Sequence, residues 1–374
     1  MSFLTQLERY PREDIRRAIL GATAERIELA VGKPRLTLDD FACLLSPNLS
    51  NEQLERLAAR AHKITRQRFG RTMLLYAPLY LSNECHNGCK YCGFSAGNHL
   101  HRKTLTRREM IREAQLLHDQ GFRHLLLLTG EAPEAAGIDY LETAVRQVKA
   151  YCSSVSIEVF PMETDGYRRM VAAGVDGLTI YQETYDRQLY QELHPYGPKS
   201  DYRYRLQTPE RAGVAGFRKI GIGALLGLGD SLTEAFYCGL HALYLARKFW
   251  KTQISISFPR LRPAEGGFQP NCIVSDRQLT QLICALRLLI PDAGLVLSTR
   301  ESAALRDNLL PLGITQMSAG SCTAPGGYGE GLPDAEQFSV DDRRSPAEIA
   351  AMLRGKGYEA VWKDWDEAFL NAAG

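Results

Sequence analysis

The 374-residue sequence has almost no net charge: 45 Lys and Arg stand against 43 Asp and Glu, leaving +2. A chain so balanced has no electrostatic footprint for nucleic acid or an anionic membrane, which excludes those partners and points to a small substrate. It lacks an apolar run approaching the roughly 20 residues needed to span a bilayer, and its start, Met1-Ser-Phe-Leu-Thr-Gln-Leu-Glu-Arg-Tyr-Pro11, lacks a basic segment followed by an apolar core. No export signal and no membrane anchor are therefore expected. The nine cysteines are odd in number and mostly scattered (Cys43, Cys152, Cys238, Cys272, Cys284, Cys322), so they lack the pattern of a disulfide framework. A reducing, cytoplasmic location follows as the expectation. Internal repeats beyond a βα alternation and low-complexity segments are also missing.

The remaining three cysteines are concentrated. Cys85, Cys89 and Cys92 lie in Glu84-Cys-His-Asn-Gly-Cys-Lys-Tyr-Cys-Gly-Phe94, a short glycine-bearing loop. A four-iron cluster normally takes four cysteines. Three thiolates can hold a cubane iron-sulfur cluster while one iron stays open, and an open metal position is a mark of chemistry rather than of a structural staple. Two other readings exist. Cysteines at i, i+4 and i+7 could share a buried helix face, although Asn87, Gly88 and Gly93 oppose a helix there. A Cys3His zinc knuckle using His86 is the stronger rival, but structural zinc sites usually show two separated C-x-x-C pairs.

Along the chain, a polar, helix-like leader (1–70) precedes short β-branched and leucine-rich runs that alternate with amphipathic stretches. Candidate strands at 73–80, 124–129, 155–160, 177–181, 219–226, 252–258, 294–299 and 314–319 make the number that closes a (β/α)8 barrel. The expected organisation is α/β: the leader, a barrel over 71–320, and a C-terminal loop and helix over 321–374 packing on it. Thr106-x-x-Glu109, Ser231-x-x-Glu234, Ser275-x-x-Gln278 and Ser345-Pro-Ala-Glu348 predict capping boxes, the last opening a helix to about Arg354. Met110, Ile111, Ala114 and Leu117 mark the buried face of the first barrel helix, which Gly121 ends. Residues 321–344 read as a long ordered loop over one barrel end, and Trp362 and Trp365 as aromatic residues buried against the barrel.

Working residues of such barrels sit at the C-terminal strand ends. There the sequence places the cysteine loop, Thr129-Gly-Glu131, Glu158, Tyr181-Gln-Glu-Thr-Tyr185, Gly227-Leu-Gly-Asp230, Arg260-Leu-Arg262, Ser298-Thr-Arg-Glu301 and Ser318-Ala-Gly-Ser321. Arg300 directly follows a predicted core strand, where an unneeded charge would be costly, and is the first choice to hold a substrate carboxylate. Ser321 is a neighbouring donor. Arg260 and Arg262 are rivals whose ordinary role would be pairing with Glu265 or Glu301.

The C-x-x-x-C-x-x-C spacing with Tyr91 before the last cysteine resembles the cluster loop of the radical S-adenosylmethionine (SAM) superfamily. Tyr76-Ala-Pro-Leu-Tyr-Leu-Ser-Asn, Lys103-Thr-Leu, Leu128-Thr-Gly-Glu131, Tyr181-Gln-Glu-Thr-Tyr185 and Pro325-Gly-Gly-Tyr328 narrow the resemblance over nearly the whole chain. It falls on the aromatic amino acid lyases, in particular tyrosine lyases that serve thiamine biosynthesis. The resemblance implies a TIM-type radical SAM barrel and a [4Fe-4S] cluster on Cys85, Cys89 and Cys92 whose open iron is chelated by SAM. Tyr91 is implied as a cofactor-binding residue. Gly130 and Glu131 would meet the SAM amino group, Glu183 the ribose with Gln182 or Glu158 sharing the task, and Arg205 the SAM carboxylate. The implied reaction begins when the reduced cluster gives SAM one electron, releasing methionine and a 5′-deoxyadenosyl radical. Cleavage of the Cα–Cβ bond of L-tyrosine to p-cresol and dehydroglycine follows, and the imine passes to a thiazole synthase subunit. A flavodoxin- or ferredoxin-type electron donor is implied as well. A sister tyrosine lyase of hydrogenase cofactor maturation carries further clustered cysteines near its C-terminus, whereas here the last is Cys322, which favours the thiamine branch. From another class, a zinc-stabilised, non-enzymatic scaffold barrel remains the alternative.

Overall fold

The computed structural model describes residues 2–329, 335–363 and 366. Among these residues there are nine parallel strands: β1 Thr72–Ser82, β2 His124–Thr129, β3 Ser154–Glu158, β4 Gly177–Glu183, β5 Lys219–Ala224, β6 Gln253–Ser257, β7 Gly294–Leu297, β8 Gln316–Ser318 and β9 Glu359–Val361. Strands β1 to β8 pair in sequence order, and β1 closes the ring by pairing with both β8 and β2, giving a (β/α)8 barrel. All eight expected strands are present with their ends shifted by a few residues. The ninth was missed, because Glu-Ala-Val is too short to carry a period. It pairs with the first residues of β1, through Thr72, Met73 and Leu74, and it seats Trp362 edge-on to Phe122 at 5.3 Å. Trp365 lies outside the described residues.

Helices form where the capping residues direct. Thr106, Ser275 and Ser345 each close a capping box, the last opening the helix Pro346–Gly355. Ser231 does not cap. Asp230 takes that place, its carboxylate accepting from the Leu232 amide at 3.2 Å. Asp230 therefore serves the helix and the leader, where Arg16 stands 3.8 Å away, instead of the barrel mouth. In the helix Arg107–Asp119, Met110, Ala114 and Leu117 are buried as the period requires, while Ile111 is half-buried and Arg108, Arg112 and Gln115 are exposed.

The leader is a run of helices ending in Asn51–Phe69, which packs on the barrel helix Asp276–Leu289. Its other anchor is electrostatic. Glu234, freed from capping, is buried, and its carboxylate accepts from the Tyr185 amide at 2.7 Å and the Thr184 hydroxyl at 2.9 Å. Arg12 supplies the counter-charge, 3.0 Å from Glu234 and 3.2 Å from Asp186. Burial pushes the Glu234 carboxyl up, and Arg12 pulls it back. This cluster clamps the turn directly after β4, the strand that ends at Glu183.

A second set of buried charges ties down the C-terminal segment. Arg306 is wholly buried and bonds to Asp342 and to the Ser318 carbonyl. Arg344 bridges Asp342 at 2.7 Å and Asp307 at 2.9 Å. Residues 335–344 thereby lie over the mouth, where Gln337 and Phe338 line the cavities; residues 330–334 lie outside the described residues.

Removing one partner of a buried ion pair strands the other charge, at a cost of about 3 kcal/mol. Arg12→Ala is expected to lower the unfolding free energy by roughly that amount in urea titration, with the Arg12→Ala/Glu234→Gln double variant recovering most of it. A loss below about 1 kcal/mol in the single variant would show that the leader is held by packing alone.

Candidate active site

The three cysteines stand on the irregular segment after β1, and their loop is held from four sides. His86 donates its amide to the Glu131 carbonyl at 3.0 Å, Gly88 to Tyr196 at 3.1 Å, Lys90 to Leu193 at 3.1 Å and Gly93 to Gln337 at 3.2 Å. Arg102 adds bonds to the carbonyls of Asn83 (2.6 Å), Phe94 (3.0 Å) and Ser95 (2.7 Å). Gly130 permits this packing, since a Cβ there would stand 2.1 Å from the Glu84 carbonyl oxygen. Gly130 thus supports the cysteine loop as well as bounding the cavity.

Cys85, Cys89 and Cys92 line one cavity of about 650 Å3 together with Gly130, Glu131, Glu158, Glu183, Lys199 and Arg205. A second cavity of about 690 Å3 holds Arg300 and Ser321 at polar positions among Tyr76, Tyr80, Leu126, Phe258 and Val296. A third, of about 500 Å3, contains Tyr91, Cys92, Glu183, Lys199, Arg262 and Arg300. Glu158 and Gln337 are walls of all three, and Cys92 and Arg300 both line the third, so the thiol cavity and the Arg300 cavity adjoin.

Charge is concentrated at the junction. Glu183 has φ 68, alone among the described non-glycine residues in the left-handed region, a strained placement typical of functional sites. Its carboxylate meets Lys199 at 2.7 Å and Arg205 at 3.7 Å. Burial raises the Glu183 carboxyl, but Lys199 and Arg205 outweigh it and hold the group below the usual range. Arg205 donates Nε to the Tyr181 carbonyl at 2.7 Å, which leaves its terminal nitrogens toward the cavity. Glu131 accepts from the Asn87 side chain. Among the described residues, Glu158 has no such cation within ion-pair distance. Although part of its surface opens to the cavity, burial and then the Glu183 charge push its carboxyl up to about 7.

Arg300 and Ser321, the residues expected at the substrate, line one cavity together. The Arg300 guanidinium lies over the Phe338 ring, 3.4 Å from its centroid, and the buried Ser321 hydroxyl has no hydrogen-bond partner among the described residues. Arg260 is taken up by Glu301 (3.0 Å) and Asp276 (2.8 Å), and Arg262 by Asp341 (3.0 Å). The expected pairing partner Glu301 is right, and Glu265 is not used. Gln182 does not line the cavity that holds Glu183; the register of β4 on β5 shifts between Tyr181 and Glu183, and Gln182 is the extra residue at that irregularity. Tyr91 borders the third cavity instead of the thiol cavity; its hydroxyl bonds to His194 at 2.8 Å, and burial with the nearby Lys199 cation holds that imidazole down to about 3.

The donor set fits an iron-sulfur cluster. Three thiols share one cavity, and amide donors stand at two of the sulfurs, Asn87 Nδ2 at 3.7 Å from Cys85 and Gln337 Nε2 at 3.7 Å from Cys92, contacts of the kind that tune such clusters. His86 is turned away to Glu134 at 2.5 Å and is not part of that cavity, so the Cys3His arrangement does not form. All nine cysteines are free. Lys199, Asn87, Gln337 and Phe338 were not foreseen as site residues. Asn87 could have been, from its place between the cysteines; the others reach the site only through the closed fold.

A barrel with this cysteine loop is a radical SAM enzyme: the profile of the Radical SAM superfamily matches residues 79–236, and that of the Biotin and Thiamin Synthesis associated domain matches 257–359. The chain is 47% identical to the 2-iminoacetate synthase of Escherichia coli (strain K12), over 95% of this chain and 94% of that one. It is 45% identical to the 2-iminoacetate synthase of Salmonella typhimurium, with the same coverage. The chain belongs to the 2-iminoacetate synthase family, and with it to the carbon-carbon lyases. Among solved structures, the FeFe-hydrogenase maturase HydG from Carboxydothermus hydrogenoformans superposes with a TM-score of 0.89 at 35% identity, covering 96% of this chain and 84% of that one. Methylornithine synthase shares the fold at a TM-score of 0.72 and 23% identity, over 93% and 99% of the two chains.

Two outcomes are expected from this geometry. In Gly130→Ala, the new methyl group meets backbone that cannot yield, so anaerobic reconstitution should give well under half of the wild-type iron and sulfide at unchanged helical content; full loading would show that the contact relaxes. For Glu158, the folded protein keeps between the usual 4.5 and about 7 a proton that the unfolded chain releases, so stability falls as pH rises through that window. The stability of Glu158→Gln relative to wild type should therefore grow from pH 4.5 to about 7 and then level off. A difference independent of pH would assign Glu158 an ordinary carboxyl.

Proposed function

We propose that the protein cleaves the Cα–Cβ bond of L-tyrosine to 2-iminoacetate and p-cresol, supplying the imine for the thiazole moiety of thiamine. The observation that carries this reading is the adjoining of a cavity bearing three thiols and one bearing an arginine and a serine hydroxyl without a partner among the described residues, walled by aromatic and aliphatic side chains. Cys85, Cys89 and Cys92 would hold a [4Fe-4S] cluster, with SAM beside it. When bound, these groups supply one-electron chemistry that removes a hydrogen atom from the substrate.

The protein's own residues supply position. Arg205 presents a planar pair of donors suited to the SAM carboxylate, and Glu183, already fixed by Lys199, offers acceptors for the ribose. Gly130 and Glu131 close the amino end of the same cofactor. Arg300, flattened on Phe338, is oriented to take the tyrosine carboxylate, with Ser321 as second donor. Phe338 and the segment that carries it shield this end from water, as an imine product requires.

A thiazole synthase subunit is the fitting acceptor for so unstable a product, and a flavodoxin- or ferredoxin-type protein the fitting electron donor. A reducing cytoplasm suits nine free thiols. No described helix is long and apolar enough to cross a membrane. Hydrogenase maturation is the weaker reading, since the HydG relative is 35% identical against 47% for the 2-iminoacetate synthase of E. coli.

Reduced, cluster-loaded protein incubated with SAM should release p-cresol from tyrosine and none from other amino acids. Fully loaded protein that yields no p-cresol would end the proposal. Arg300→Ala should raise the KM for tyrosine about tenfold, the value of one carboxylate contact near 1.4 kcal/mol, with SAM binding unchanged. A fall in SAM affinity with tyrosine use intact would reassign Arg300 to the cofactor.

A further inference from the structure

The Arg300 cavity has a polar floor as well as a polar rim. Arg300 and Ser321 stand at the rim, beyond the ends of their strands, β7 at Leu297 and β8 at Ser318. Tyr76, Leu126, Tyr181, Ser257 and Val296 lie lower, within β1, β2, β4, β6 and β7. The same five residues also line a further cavity of about 470 Å3 in the barrel interior, so they form the partition between the two. Barrel interiors are ordinarily filled by bulky branched side chains, yet Tyr76, Tyr181 and Ser257 bring hydroxyls to this one.

Two of those hydroxyls are brought together over a glycine. Tyr181, Gly223 and Ser257 are in register across β4, β5 and β6. A Cβ on Gly223 would stand 2.7 Å from Tyr181 Cδ1 and 2.5 Å from the Ser257 carbonyl oxygen, so the Tyr181 ring lies across the bare glycine. Burial, and then the Glu158 charge, push the Tyr181 hydroxyl well above its usual range, with the Ser257 side chain as its hydrogen-bonding neighbour. Both groups therefore stay neutral. One bond between two hydroxyls leaves a donor and several acceptor positions unused. Tyr76 is committed elsewhere: it bonds to Ser318, its register partner on β8, whose Oγ also accepts from the Thr299 amide at 3.0 Å.

We propose that the Tyr181 and Ser257 hydroxyls are the specificity-determining contact of the site, receiving the para-hydroxyl of the substrate and so selecting tyrosine over phenylalanine. This deepens the tyrosine reading above and rests on it. With the carboxylate at Arg300 and Ser321, the amino group and Cα face the adjoining thiol cavity, where the hydrogen is removed, and Gln337 and Phe338 close the top. The ring then descends between Leu126, Phe258 and Val296, and its hydroxyl arrives at the partition. A phenol carried into those apolar walls without a partner would be costly. Phenylalanine, in turn, leaves the paired hydroxyls facing an apolar edge, and a site built around a substrate hydroxyl rejects the analogue that lacks it.

Cluster-loaded protein with SAM and no reductant does not turn over, so the affinities of L-tyrosine and L-phenylalanine are measurable by isothermal titration calorimetry on the full chain. Wild type is expected to prefer tyrosine about a hundredfold. Tyr181→Phe and Ser257→Ala should each lower the tyrosine affinity about tenfold, the worth of one hydrogen bond, with phenylalanine binding unchanged or tighter. The ratio is the readout that a merely structural role would not move, because a distorted cavity weakens both ligands alike. A wild-type ratio near one overturns the inference, as do variants that lose both affinities equally or neither. Should one variant load no cluster, the other variant and the wild-type ratio decide. Wild-type protein that binds neither amino acid removes the tyrosine reading itself, whereas tyrosine bound with an unmoved ratio in the variants removes only the role of this pair.

Discussion

The segment that carries the three thiols has no ladder of its own, and its buried amides must therefore find acceptors elsewhere, because an unpaired backbone donor out of water costs as much as a lost hydrogen bond. The end of β2 takes His86, the 193–196 turn takes Gly88 and Lys90, and the C-terminal cover takes Gly93. Each acceptor comes from a different part of the chain, so the loop reaches its geometry only after the barrel has closed. The same bonds bring the rest of the site along. Glu131 follows Gly130 to the loop, Lys199 follows the turn that meets Asn87, and Gln337 arrives with the cover. Three thiols could be written into many sequences; three thiols facing one cavity require this closure.

The electrostatics follow from the same assembly. Glu183, Lys199, Arg205, Glu158 and Arg300 line two adjoining cavities. Pairing sorts them: Glu183 is compensated twice and stays ionised, whereas Glu158 is compensated by none at close range and its carboxyl rises to about 7. Both proposed ligands, SAM and an amino acid, are themselves rich in fixed charges of both signs. A cavity that presents separated cations at Arg205 and Arg300, with carboxylates between, matches two such ligands end to end better than a uniformly charged pocket would.

Much of this was legible in the sequence where a local rule applies. The cysteine spacing, the capping serines and threonines, and the strand-like runs each act within a few residues, and the strand count fixed the barrel. The rule for working residues at strand ends placed Glu131, Glu183, Arg300 and Ser321 at one mouth. It failed where a residue answers to something distant. Ser231 lost its cap because Glu234 is drawn to Arg12 and the Tyr185 amide, 222 and 49 residues away in the chain. Gln182 sits beside Glu183 in sequence but is the extra residue where the register of β4 shifts, and it does not line the cavity. Lys199 belongs to an unremarkable Gly-Pro-Lys-Ser turn, and only its contact with Asn87, 112 residues earlier, makes it part of the site.

The C-terminal cover shows how far the site depends on such contacts. Gln337 uses every polar group it has: its carbonyl accepts from Gly93, its side-chain oxygen from the Tyr80 hydroxyl at 2.7 Å, and its side-chain nitrogen stands 3.7 Å from Cys92. Gly93 must be glycine for this approach, since a Cβ would lie 2.4 Å from the Gln337 carbonyl oxygen. The segment bearing Gln337 is in turn fixed through Asp342 to the buried Arg306, which also bonds the carbonyl of Ser318 at the end of β8. A chain of contacts thus runs from the last barrel strand, through the cover, to a cysteine on the loop after the first. It follows that the cover is a wall of the reaction chamber, and that the barrel without it would hold its three cysteines in an incomplete frame.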